Sequence, residues 1–462
     1  MKLLFASSEI FPYAKSGGLS DVSSALPKAL KELDIDVASV MPRYSFMETK
    51  KFKLFMTCDV KLSTHTHEVI YYYDKKTNTY FIDTPLLSQT HGMYGENGID
   101  YSNNDIRFAL FSRAIVELAI NLKIDVLHLN DWQSALASFF IKEQNLKIKT
   151  LFTIHNLAYQ GVFDGESLHR IGIDYKYFNL DGFEFYGKTN FLKAAIAWSD
   201  KVTTVSPSYA QEIQSSNFGC GLDGFLRFHT DKLSGILNGI DQIHFNPRKD
   251  KLIPFSYDEN SLDIKHKNKV AFLKTTTLKD PRKPLFVMVS RVVSQKGIEL
   301  VIENIDELLS QRINLYIVGE GSDEYTNQLE ELMQKYNNLY FHKGFDEAIS
   351  HQAYAAGDFL LMPSKFEPCG LSQFIAMRYG AIPLTHCVGG LKDSVHEDLL
   401  ACAKGIVFEN YTKEEFLEAF YRALALKKDT KKFKSWMCGN MKCDFSFDKS
   451  AQEYIELYKS IL

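Results

Sequence analysis

Four stretches of this 462-residue chain combine residue types that can handle an anionic or hydroxyl-rich ligand. The first is Lys15-Ser16-Gly17-Gly18-Leu19-Ser20-Asp21. Two adjacent glycines let backbone N–H groups approach an anion, a following helix would add the positive end of its dipole, and Lys15 adds a full charge. Alone, the pattern fits a strand–helix turn with an exposed lysine equally well. The second is Arg291-Val292-Val293-Ser294-Gln295-Lys296-Gly297, directly after the apolar run LFVMVS. Each of two cations at ~4 Å from a unit negative charge contributes about 4 kcal/mol at an effective dielectric near 20, enough to matter for a departing diphosphate. Alone, these residues read better as a solvated surface loop. The third is Ser364-Lys365-Phe366-Glu367-Pro368-Cys369-Gly370-Leu371, in which Glu367 stands just before an expected helix. Such a carboxylate can stay ionised and bind hydroxyl groups, or only offset the helix dipole. The fourth is a second glycine pair, Gly389-Gly390, after the run AIPLTH.

These stretches follow short apolar runs, which reveals what must position them. Lys2–Ala6, Val37–Met41, Val126–Leu129, Thr150–Ile154 and Val202–Val205 read as strands of a first half. Leu285–Ser290, Asn314–Val318, Leu339–His342, Phe359–Met362, Ala381–Leu384 and Gly405–Phe408 read as strands of a second. Wholly apolar runs of this length suit strands buried on both faces of a parallel sheet. Helix-like stretches such as Tyr325–Tyr336 and Glu414–Leu426 separate them, and Ser206-Pro207 is a helix start with a serine cap. The sum is β/α alternation in two domains, divided near residue 245 before the polar stretch 246–279. In open α/β sheets, ligands bind at the C-terminal ends of the strands.

The formal charge of −4 is spread along the chain, and no Lys/Arg block offers a nucleic-acid footprint. No run reaches the ~20 apolar residues of a membrane-spanning helix, and the first residues read as a buried strand, not a leader. Seven scattered cysteines point to reduced thiols and a cytoplasmic setting. The dinucleotide fingerprint is missing, because Glu324 stands where its third glycine would be, and no Walker-type loop appears. A dehydrogenase reading is therefore poor. His65 and His67 share a strand face without further ligands, so a solvated face is expected and no metal site.

Taken in order, the motifs resemble the glycogen/starch synthase family of bacteria and plants. They are K-x-G-G-L with Asp21, N-D-W at Asn130–Trp132, H-N-L-A-Y-Q-G at His155–Gly161, L-N-G-I-D at Leu237–Asp241, the Arg291/Lys296 pair, F-E-P-C-G-L at Phe366–Leu371 and the Gly389–Gly390 turn. The ordered set spans nearly the whole chain. The resemblance implies an α/β fold of two Rossmann-like domains facing a deep cleft, of the GT-B type. Residues 1–245 would form the acceptor-side domain and 246–445 the nucleotide-sugar domain, with a last helix in 446–462 packing back on the first. It also implies glucose transfer from ADP-glucose to an α-1,4-glucan such as glycogen or a maltooligosaccharide, with retention and without cofactor, metal, nucleic acid or membrane.

In the roles so implied, Glu367, Arg291, Lys296 and His155 are catalytic. Lys15, Gly17, Gly18, Asp21, Tyr94, Asp131, Asn238, Phe345, Cys369, Gly370, Leu371, Gly389 and Gly390 bind substrate. Two positions depart from the family pattern: Phe345 replaces a tyrosine expected near adenine, and Val388 replaces a threonine before the glycine pair. A UDP-glucose enzyme and an inactive glucan-binding homologue are the alternatives.

Overall fold

The computed structural model describes residues 1–48, 51–96, 98–397 and 402–462. They form two compact units, Met1–Asn238 with Phe447–Leu462, and Gly239–Ser446.

Unit 1 is built on a nine-stranded sheet. Its strands are β1 (Lys2–Ala6), β2 (Asp36–Pro42), β3 (Lys53–Leu62), β4 (His65–Asp74), β5 (Thr79–Asp83), β6 (Val126–Asn130), β7 (Lys149–Ile154), β8 (Lys201–Thr204) and β9 (Leu233–Gly235). Their order is β9-β8-β7-β6-β1-β2-β5-β4-β3. Pairing is parallel from β9 through β5, and β4 and β3 add an antiparallel edge. Apolar residues fill β1 because α1 (Gly18–Glu32) and the C-terminal helix Asp448–Ile461 cover it: Leu3 and Phe5 pack with Leu26, Leu30, Tyr454 and Tyr458. The opposite face packs on α2 (Asn104–Leu122), α3 (Leu136–Glu143) and α4 (Phe191–Trp198). The expected serine cap is present, since Ser206 Oγ accepts from the Tyr209 N–H at the start of α5 (Pro207–Glu212).

Unit 2 carries a wholly parallel six-stranded sheet of β10 (Leu285–Val289), β11 (Asn314–Gly319), β12 (Leu339–Lys343), β13 (Phe359–Met362), β14 (Ile382–His386) and β15 (Ile406–Phe408). Its order is β12-β11-β10-β13-β14-β15. The chain runs outward from β10 to one edge, returns to β13 and runs to the other. The order thus reverses between β10 and β13, and the crevice beside such a reversal is where doubly wound sheets bind ligands. In unit 1 the equivalent reversal lies between β1 and β6. The α6 (Glu347–Ala356), α7 (Ser372–Arg378) and α8 (Gly389–Ser394) helices follow β12, β13 and β14.

No described helix is long and apolar enough to cross a membrane. One expectation needs correction: the cysteines are not all free thiols. Cys402 is joined to Cys443, 41 residues away, while Cys58, Cys220, Cys369, Cys387 and Cys438 are free. Cys438 and Cys443 lie close together in sequence, but they are not the pair that is joined. The helix Thr430–Lys442 instead docks on the 402–404 segment, where Asn440 and Lys404 exchange two hydrogen bonds of 2.7 Å.

Candidate active site

In unit 1 the loop after β1 is organised around a residue that the sequence reading missed. Glu9 is buried, and its carboxylate accepts from the Ser16 N–H and Oγ, both at 2.5 Å, and from the Tyr94 hydroxyl at 2.7 Å. Tyr94 also meets Ser8 Oγ at 2.8 Å. The tyrosine arrives from a distant loop that Arg107 holds. This fully buried guanidinium donates to Leu86 O, Asn104 Oδ1, Thr90 Oγ1 and Met93 O, and Asn104 Nδ2 donates to Tyr94 O. An acid between the first strand and the glycine pair was the available signal for Glu9; its partners were not legible. Gly17 and Gly18 open α1 as expected. Lys15 Nζ pairs with Asp21 Oδ1 at 2.8 Å, so these two predicted residues meet each other.

At the end of β6, Asn130 fixes the chemistry of His155. Asn130 Nδ2 donates to Ala6 O at 3.0 Å, which turns its Oδ1 toward His155 Nε2 at 2.8 Å. The histidine Nε2 must therefore carry a proton. Burial pushes the His155 pKa down to about 3, so the ring is neutral at physiological pH and presents Nδ1 as a lone pair. Asp131, next in the chain, accepts the His155 N–H at 2.8 Å. Its pKa rises to about 7, chiefly through burial and further through the Glu9 charge, against the pull of two backbone N–H groups. Asp131 has φ +55°. Gly161, at φ +64°, lies so close to Trp132 that a Cβ would run into the indole. Asn238 is buried, and its Oδ1 meets no donor among the described residues, an acceptor suited to a ligand.

In unit 2 the basic loop follows β10 and the Glu367 loop follows β13, the two strands that flank the reversal of order. Gly297 seats the first loop on the second strand: at φ +72° it contacts Pro363 so closely that no side chain fits. Lys365 N donates to Gln295 O at 2.9 Å, and Lys365 Nζ to Ser294 Oγ at 2.8 Å and to Glu299. These bonds bring Lys296 Nζ to 2.6 Å from Glu367 Oε2, which also accepts from Ser364 Oγ at 3.0 Å. Glu367 is 4% exposed. The groups that hold its carboxylate are thus a lysine and a serine, and α7 begins five residues further on at Ser372. Arg291 is on the same loop with a different partner, donating to Gln295 Oε1 at 3.0 Å.

The second glycine pair closes on this loop. Gly390 N donates to Glu367 O at 2.9 Å, and a Cβ on Gly390 would strike the backbone of Cys369. Gly389 and Gly370 both have positive φ, and Gln373 bonds Cys369 O, Gly370 O and Ser394 Oγ, each at 3.0 Å. Cys369 is buried, and Leu371 directly precedes α7. Phe345 is 65% exposed, two residues before α6. Among the described residues, the His/Glu set that could hold a metal is His244, Glu347 and His351 elsewhere in unit 2, and it includes none of the predicted site residues. His65 and His67 lie together on β4, with ring centroids 6.3 Å apart.

Within unit 2 the loops set two cations and a buried carboxylate beside a glycine turn, groups that can meet an anion and hydroxyl groups; unit 1 separately presents neutral acceptors at His155 and Asn238. Comparison with known proteins gives this a context. A profile described as the starch synthase catalytic domain matches residues 2–228, and one described as glycosyl transferases group 1 matches residues 271–435. The glycogen synthase of Aquifex aeolicus is 42% identical over all of this chain and 99% of its own length. Glycogen synthase 1 of Methylococcus capsulatus is 38% identical over all of this chain and 97% of its own. Among solved structures, the catalytic domain of starch synthase IV from Arabidopsis thaliana, bound to ADP and acarbose, matches with a TM-score of 0.91 and 31% identity over 99% of both chains. Sucrose-phosphate synthase from Thermosynechococcus elongatus, at 17% identity and a TM-score of 0.64, shares the fold.

Proposed function

Given that the chain belongs to the glycogen and starch synthase family, glycosyltransferases with the GT-B fold, we propose that it moves glucose from ADP-glucose onto the non-reducing end of an α-1,4-glucan. The anomeric configuration is retained and ADP is released. The observation that carries the proposal is the Lys296–Glu367 pair, at 2.6 Å, on the loops after the two strands that flank the reversal in unit 2. A cation for the departing phosphate and a carboxylate for the sugar hydroxyls are thereby fixed side by side. ADP bound to the plant relative supports the choice of leaving group, and its acarbose supports an oligosaccharide acceptor.

Unit 2 takes the nucleotide sugar. Arg291, Lys296 and the N–H groups at Gly389 and Gly390 stabilise the diphosphate as the glycosidic bond breaks. The transition state is oxocarbenium-like, and charge developing on the leaving group is met by donors already in place. Glu367 accepts hydroxyl groups of the glucose. Cys369, Gly370 and Leu371 shape that loop, and Phe345 stacks on the adenine. Unit 1 contributes Lys15, Gly17 and Gly18 to phosphate or sugar oxygens, with Asp21 steering the lysine. Neutral His155 accepts a sugar hydroxyl at Nδ1, and Asp131, Tyr94 and Asn238 orient the groups around it. Retention follows from attack on the face that the phosphate leaves, the phosphate oxygen taking the acceptor proton. We place the reaction in the cytoplasm. Five free thiols favour a reducing compartment, and the Cys402–Cys443 link is the observation that opposes it.

The test is glucose incorporation into glycogen by the purified protein, with ADP-glucose and UDP-glucose compared and the released nucleotide identified. ADP release with glucan growth is expected, and E367A abolishes both. Faster turnover of UDP-glucose would transfer the donor assignment to the uridine nucleotide, which the Phe345 and Val388 departures make the comparison to run. No turnover of either donor would point to a glucan-binding homologue.

A further inference from the structure

Unit 2 contains a second constellation that glucosyl transfer does not use. His244 lies in the segment after Gly239, and Glu347 and His351 lie one turn apart on α6. One ligand atom from each falls within 4.8 Å of the others. His244 Nε2 is 3.1 Å from Glu347 Oε1, close to the edge of a tetrahedron around zinc, which is roughly 3.4 Å for bonds of about 2.0–2.1 Å.

His351 is the informative member. It is 2% exposed, and its Nδ1 is bound to Asp250 Oδ2 at 2.8 Å. Asp250 is itself fixed by the Tyr379 hydroxyl at 2.5 Å and the Leu252 N–H at 2.8 Å. The Phe245 ring stacks on the imidazole with centroids 5.1 Å apart. His351 Nε2 is left buried with no hydrogen-bond partner among the described residues. A buried polar nitrogen without a partner is costly and uncommon. A histidine whose far nitrogen is held by a carboxylate while the near one is bare is the arrangement that orients metal-binding imidazoles.

We propose that His244, Glu347 and His351 bind a divalent cation of the zinc type, with Asp250 as the carboxylate that orients His351. Two imidazoles and one carboxylate select a borderline transition metal over magnesium or calcium. His244 and Glu347 are partly open to solvent, which gives the ion a path and lets both side chains close on it. The role is structural. The ion ties the segment around Asp241–Asn246 to the first turn of α6, directly after Phe345.

The test uses the full chain, stripped with a chelator and titrated calorimetrically with Zn²⁺, with Co²⁺ as the optical probe. Wild type is expected to bind one Zn²⁺ and to give visible Co²⁺ bands without thiolate charge transfer. H244V, at a position open enough to spare the fold, is expected to weaken binding by about 100-fold and to remove the bands. Zn²⁺ should raise the melting temperature of wild type and not of H244V. Equal binding by H244V, a thiolate signature, or no binding by wild type would each overturn the site and leave only the 3.1 Å polar contact between His244 and Glu347. None of these readouts depends on transferase activity.

Discussion

Replacing Lys296 by methionine tests the central pair through stability and catalysis at once. The side chain keeps its apolar stem and loses the ammonium, leaving Glu367 with Ser364 Oγ as its remaining side-chain donor. At 2.6 Å the Coulomb attraction is about 6 kcal/mol at an effective dielectric of 20, and most of that offsets the desolvation of the two ions. Removing one partner of a buried pair costs about 3–5 kcal/mol, because the other charge stays buried. Lys296 retains 17% side-chain exposure, so about 3 kcal/mol is expected for K296M. E367Q should cost about 2 kcal/mol, since the freed lysine reaches water more easily. The double variant K296M/E367Q has no unpaired charge and should lose only about 1 kcal/mol, a coupling of roughly 4 kcal/mol. Urea unfolding followed at Trp436, buried in unit 2, measures these differences. Catalysis should behave differently: both singles and the double variant should lose about 10²–10³ in kcat, because each lacks a group aimed at the transition state. Additive stability losses, or recovered turnover in the double variant, would refute the reasoning.

Other expectations follow from particular contacts. Asp131 has its pKa raised from 3.8 to about 7, so the folded chain holds a proton that the unfolded chain has released. Its stabilising contribution is complete below about pH 4 and is lost as pH rises toward 7. The stability of D131N relative to wild type should therefore grow between pH 4 and 7 and level off above; a difference that does not change with pH would count against the raised pKa. Y94F removes the hydroxyl that donates to buried Glu9 and should cost about 1–3 kcal/mol in unit 1 stability, with a matched loss of activity. G390A drives a methyl into the Cys369 backbone and should abolish transfer and weaken nucleotide binding, measured by ADP titration; normal ADP affinity would remove this turn from the phosphate site.

Local chemistry decided how much of the molecule could be read in advance. β1 and β13 were legible to the residue, because Leu3–Ala6 and Phe359–Met362 are buried apolar runs, the first opened by exposed Lys2 and the second preceded by Asp358. β3 was not: most of its side chains are exposed, and only pairing with β4 makes it a strand. The parallel strands placed the glycine loops, Arg291, Lys296 and Glu367, since those loops follow strands whose runs are unmistakable. Sequence did not show which side chains hold these groups. Glu9 meets Tyr94 only because Arg107 gathers a loop from far along the chain. The tautomer of His155 depends on Asn130 and Ala6, and the link to Cys402 on where a helix near the end docks. Partners of this kind are set by tertiary packing, and no local pattern encodes them.

The C-terminal helix enters unit 1 at its centre. Its Tyr458 hydroxyl meets His128 Nδ1 at 2.7 Å, and the other nitrogen of that buried ring reaches Thr153 at 2.7 Å, which in turn meets Thr203 at 2.6 Å. During synthesis the first 238 residues emerge long before this helix exists, and all of Gly239–Ser446 must be made in between. Until then His128 Nδ1 lacks its Tyr458 partner, and Leu3, Phe5 and Leu26 lack the part of their cover that Tyr454 and Tyr458 supply. The nascent first unit is thus left open to chaperones and proteases while the second can already fold. A ribosome that stalls after Ser446 but before this helix is made would release a chain with a sound unit 2 and a unit 1 marked for degradation.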